Sequence, residues 1–129
     1  MKVATMVQSL VAGAVAATAA VAVPAPAAAT VVQESPLGTR SSHTRTEALG
    51  DAGRAAGLWV TYDIHAGIAG HILLVNHAPA SGLRQSWTHL YTAPRGTECA
   101  DTGRAGLDNR VWLSFSCVGN AGGDHLFVR

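Results

Sequence analysis

The chain contains a single lysine, Lys2, at its N-terminal end. Residues 30–129 therefore set eight arginines against eight aspartates and glutamates, a formal balance of zero. No basic field is present to attract a phosphate backbone or an anionic lipid surface, which excludes nucleic acid and the membrane surface as expected partners. Cysteine is almost as scarce. Cys99 and Cys117 are the whole complement, and they form no C-x-x-C pair. In an exported chain an even, isolated pair points to one disulfide rather than two lone thiols or half of a metal site. Only seven aromatic residues are present (three Trp, two Tyr, two Phe), so a small core would need most of them. G-x-S-x-G is missing, and Gly122-Gly123-Asp124 is only a fragment of a calcium loop. No cofactor is expected.

The N-terminus has the grammar of a secretory signal: a positive start at Lys2, an apolar run over 10–23, Pro24 and Pro26 as breakers, and Ala27-Ala28-Ala29 as an A-x-A cleavage site. The run is alanine-rich and shorter than the roughly 20 apolar residues that a spanning helix needs. The sequence thus divides into a signal peptide (1–29), a polar, partly disordered lead-in (30–57) and a β domain (58–129), exported and free of the membrane after cleavage.

Residues 58–77 are the best-patterned stretch. Leu58, Val60, Tyr62 and Ile64 alternate with Trp59, Thr61, Asp63 and His65; Gly67 and Gly70 mark a turn; ILLV at 72–75 returns. Further strands are expected over 86–92, 97–100, 111–118 and 124–129, separated by Gly/Pro turns, with 101–110 as a loop. Gly50 and Gly53 weigh against a helix over 46–56. No internal repeat stands out. The expected fold class is all-β, a small antiparallel sandwich or open barrel of five to six strands with one disulfide.

Three groups of side chains could carry chemistry. His65 and His71, placed opposite each other by a five-residue loop, could share an ion with Asp63. Trp87, His89 and Tyr91, spaced by two on one strand, form an aromatic face suited to stacking on sugar rings, as in a cell-wall glycan; Trp59 and Trp112 also fall on the less apolar sides of their strands. Arg95, in a Pro-containing turn beside Cys99, could enter the pocket of an extracellular trypsin-like protease. A small hydrolase with a dispersed site is the further alternative, although so short a chain leaves little room for a shaped pocket.

The segments Gly57-Leu58-Trp59-Val60-Thr61-Tyr62-Asp63 and Leu90-Tyr91-Thr92-Ala93-Pro94, with Cys99 and Cys117 following, resemble small exported actinobacterial proteins of the spore-associated protein A type. That group usually has two further cysteines, absent here, with His71 near the place of one. The resemblance implies a secreted β-protein without established catalytic residues. Together these observations lead to the expectation of a secreted, non-enzymatic β-protein acting at or outside the cell wall.

Overall fold

The computed structural model describes residues 31–129, so the signal peptide expected over 1–29 lies outside the described residues. Eight elements follow in order: β1 (Gln33–Arg40), α1 (His43–Ala55), β2 (Thr61–Gly67), β3 (Gly70–His77), β4 (Thr88–Ala93), α2 (Glu98–Asp108), β5 (Phe115–Asn120) and β6 (Gly123–Val128). The strands form two antiparallel three-stranded sheets, ordered β1-β3-β2 and β4-β6-β5. The fold is mostly β with one disulfide, Cys99–Cys117, as the alternation predicts.

The lead-in is a correction. Residues 33–40 are an edge strand paired with β3, and 43–55 are a helix whose buried Leu49 belongs to the core. The expected strand at 97–100 and loop at 101–110 are together α2. One physical feature explains both misreadings. Gly50 and Gly53 lie on the buried face of α1, where a Cβ would collide with the rings of Tyr62 and Trp59. Gly103 and Gly106 do the same for Phe115 and Trp112 on α2. The bare helix faces let an indole lie flat across the backbone. Trp59 Nε1 then donates to the Gly50 carbonyl at 2.8 Å, and Trp112 Nε1 to the Gly103 carbonyl at 2.9 Å. Both tryptophans are buried at the centre of the core rather than on a polar face.

These pairs reveal an internal repeat that was not expected. Each βαββ unit maps onto the other with a constant offset of 53 residues: Gly50 on Gly103, Gly53 on Gly106, Trp59 on Trp112, Gly70 on Gly123. Ten of the 44 residues from 33 to 76 are identical to their counterparts, too few to stand out by eye. Both helices end in the same Schellman turn. Leu58 N donates to Gly53 O and Gly57 N to Arg54 O; Val111 N donates to Gly106 O and Arg110 N to Leu107 O. Gly57 supplies the left-handed residue in the first unit, and Arg110 (φ 57°) does so in the second.

Each helix packs on its own sheet and also against the first strand of the other unit, α1 on β4 and α2 on β1. Such reciprocal contact is the mark of a two-fold relation. Near the axis the copies have diverged into complementary partners. Arg45 and Glu98 occupy equivalent positions and pair with each other, Nη2 to Oε1 at 2.7 Å and Nε to Oε2 at 3.1 Å. Tyr91 donates to the same carboxylate at 2.9 Å. Arg40, whose counterpart is Ala93, is buried at 1 % exposure and donates to Leu37 O, Gly38 O, Thr46 Oγ1 and, across the axis, Thr102 Oγ1. Desolvation pulls its guanidinium below the ordinary range. The disulfide ties α2 to β5, where the first unit has Thr46 and Ile64 instead. Cys99 is buried and Cys117 exposed, so the bridge runs from core to surface. Closing a loop of this length contributes about 3 kcal/mol in the chain-entropy model.

The Arg45–Glu98 pair gives a direct test of the two-fold relation. Glu98→Arg should place two guanidiniums against each other and lower stability by about 2 kcal/mol, since the pair is only partly exposed. The swap Arg45→Glu with Glu98→Arg should recover most of that loss in urea denaturation; no recovery would mean that the pair contributes nothing across the axis.

Candidate functional site

The outer face of the second sheet gathers a group of aromatic and histidine side chains that the sequence pattern brings together only in part. Register sets the rows. His89 on β4 lies opposite Phe127 on β6, which lies opposite Ser116 on β5. In the next row Thr92 faces His125, which faces Val118. Trp87, just before β4, extends the face; it is 44 % exposed and carries the Arg129 guanidinium 4.8 Å from its ring centroid. The His89 ring lies 5.2 Å from Phe127 and 5.3 Å from His125. A shallow depression of about 320 Å3 is lined by Trp87, Ser116, Val118 and Phe127.

Alternation gives this face to Trp87 and His89 but not to Tyr91. A bulge between His89 and Tyr91 shifts the register, so that Leu90 and Tyr91 are both buried. Tyr91 is 4 % exposed and points to the axis, its hydroxyl shared between Glu98 and Thr102. Burial first, then the nearby Glu98 charge, raises its pKa to about 12. Tyr62 is raised to about 12 by its 2.6 Å hydrogen bond to Asp51. These are the only tyrosines. Absorbance titration should therefore show almost no phenolate at pH 10, the ordinary midpoint. A folded-state value above the unfolded one means that this stabilisation is complete below about pH 10 and is lost as pH rises through 12. A native midpoint near 10 would contradict the buried placement of Tyr91.

The other sequence-derived residues are not brought together. The β2–β3 hairpin turns on two residues, 68–69, rather than five, with Gly67 opposite Gly70. His65 then pairs with Ile72 and His71 with Ala66, so the two imidazoles point to opposite faces. Asp63 shares the face of His65, but His71 lies on the helix side, its ring 5.3 Å from that of His43. Among the described residues no group of three or more His, Cys, Asp or Glu is placed to hold a metal ion. Arg95 is exposed, yet its Nη2 donates to Asn120 O at 2.8 Å, and Gly96 N donates to Asp124, so the turn is tied back to the β5–β6 hairpin.

His125 and Phe127 were missed as site residues. Alternation in DHLFVR, at 124–129, places both beside Arg129 on one face, which was the available signal. A larger cleft of about 410 Å3 opens between the units, lined by 57–60, 77–82, Arg84, 111–113 and Arg129. Two of its polar side chains are engaged within the fold: His77 contacts Ser35 Oγ and Ala78 O, and Arg84 donates to Ala56 O, while the buried Arg129 Nε has no partner. The outer face, where rings and imidazoles stand side by side, is the better candidate.

The repeat supplies a comparison within the molecule. On the first sheet the positions equivalent to Trp87, His89, His125, Phe127 and Arg129 hold Glu34, Pro36, Ile72, Leu74 and Asn76. The first sheet's outer face thus carries His65 but no aromatic ring, and folding alone does not account for the rings on the second sheet. Comparison with protein-family models, curated proteins and solved structures finds no match. No helix among the described residues is long and apolar enough to cross a membrane.

Proposed function

We propose that this is a secreted, non-enzymatic binding protein that acts at or outside the cell wall and holds a glycan on the outer face of its second sheet. The observation that carries this reading is the asymmetry between the two outer faces. Trp87 and Phe127 offer flat apolar rings of the kind that pack on the C–H faces of a sugar. His89, His125, Thr92 and Ser116 stand around them as hydrogen-bonding groups for hydroxyls. The face carries no acidic side chain, and its shallow, open shape suits an extended polymer better than an enclosed small molecule. The signal-like N-terminus and the disulfide support export, as does the likeness to small exported actinobacterial proteins.

Co-sedimentation with purified cell wall tests the reading. Wild-type protein should be retained, and Trp87→Ala should lower retention about ten-fold, since stacked aromatic anchors are worth on the order of 1–3 kcal/mol each. Trp87 is outside the core, so stability should change little. Equal retention of both proteins, or none of either, would remove the glycan. Self-association through this face, seen as a Trp87-dependent dimer in solution, would assign it to a second copy of the chain instead.

A further inference from the structure

Within the same face, His125 Nδ1 has two close polar neighbours. His89 Nε2 and His125 Nδ1 stand 3.3 Å apart, and Thr92 Oγ1 is 2.8 Å from that same His125 Nδ1. As hydrogen bonds alone this arrangement is over-subscribed. A ring nitrogen has either one proton or one lone pair, so Nδ1 can serve only one of its two neighbours well. A cation shared by the two ring nitrogens would take one lone pair from each. Two imidazole nitrogens bound tetrahedrally to zinc at about 2.05 Å stand about 3.3 Å apart, which is the separation found here.

We infer that His89 and His125 form a divalent transition-metal site, suited to Zn2+, with the Thr92 hydroxyl beside the ion and water completing the tetrahedron. Imidazole is a preferred ligand of Zn2+, whereas Mg2+ selects oxygen. The first sheet lacks the set: the counterparts of His89 and His125 are Pro36 and Ile72, although Thr39 matches Thr92. The site differs from the His65/His71/Asp63 grouping, which the hairpin register takes apart. It does not depend on glycan binding, because the donors are in place without a ligand.

Calorimetric titration of the untagged protein spanning 30–129 with ZnCl2, and separately with MgCl2, tests the inference. One equivalent of Zn2+ should bind at pH 7.5 and no Mg2+. His89→Asn and His125→Asn should each weaken Zn2+ binding at least about ten-fold, a loss that even second-shell partners can cause. His43→Asn, on the other unit, should leave it unchanged. Binding should weaken on acidification, because both imidazoles must be unprotonated to coordinate. Co2+ bound in place of Zn2+ should show the visible spectrum of a tetrahedral complex, and that spectrum should vanish in either histidine variant. His89 is exposed, so its variant should fold as the wild type does, with the same near-ultraviolet dichroism. Absence of Zn2+ binding, or binding undiminished in either His89→Asn or His125→Asn, would overturn the site. Neither result would bear on retention by cell wall, which is measured without added metal.

Discussion

Gly106→Val is expected to destabilise the protein by about 4 kcal/mol or more, enough to leave a domain of this size largely unfolded. On a helix-propensity scale the sign is the reverse, because glycine is the poorest helix former after proline and even alanine would gain about 1 kcal/mol. Packing decides the matter. A Cβ at residue 106 would fall inside the Trp112 ring, and the indole could escape only by leaving the core and its bond to Gly103 O. Removing a buried tryptophan side chain costs about 3–5 kcal/mol, which exceeds any helix gain. Gly53→Val should behave alike, because Trp59 lies across α1 in the same way. Denaturant midpoints for the two glycines, with exposed Ala48→Val as a helix control, measure this directly; a midpoint at or above wild type for either variant would show that the indole does not need the bare helix face.

Arg40→Ala should cost about 4 kcal/mol. The side chain is buried without a carboxylate in contact, and it is held by two carbonyls and two hydroxyls instead. Truncation leaves Leu37 O and Gly38 O without their donor and opens a void; each abandoned acceptor is worth about 1–3 kcal/mol. Arg40→Met keeps most of the volume and removes the buried charge, so it should lose less than the alanine variant. The second unit holds Ala93 at the same place, so the backbone itself does not require arginine. Urea unfolding of both variants separates the contributions. Equal losses would put the whole effect in the lost hydrogen bonds, a larger loss for alanine measures packing, and no loss in either would mean that Arg40 does not join the units.

Much of the strand structure was legible because alternation reports on faces directly. VWLSFSCV at 111–118 and LWVTYDIH at 58–65 show why it was not enough. In each, the tryptophan precedes the strand and turns under a helix, so counting by twos gives it the wrong face. The helices themselves were hidden by their glycines, whose cost in propensity is outweighed by the ring that lies on them. The His65–His71 hairpin was misread by loop length alone, and a shift of one residue sends every side chain to the other face. Half of the candidate site was readable. Trp87, just before β4, and His89 on it were found, while Tyr91 was lost to a bulge that single-strand periodicity does not reveal, and β6 contributed Phe127 and His125 unnoticed.

The three tryptophans provide the sharpest test of the outer-face site. Trp59 and Trp112 are buried, with indole N–H groups bonded to helix carbonyls, and Trp87 is exposed on the second sheet. In 15N-labelled protein they should give three indole signals, assignable by single Trp→Phe substitutions. Titration with soluble peptidoglycan fragments should shift the Trp87 signal progressively and leave those of Trp59 and Trp112 in place. A Trp87 signal that stays fixed while the fragments bind elsewhere, or fail to bind at all, would contradict the account.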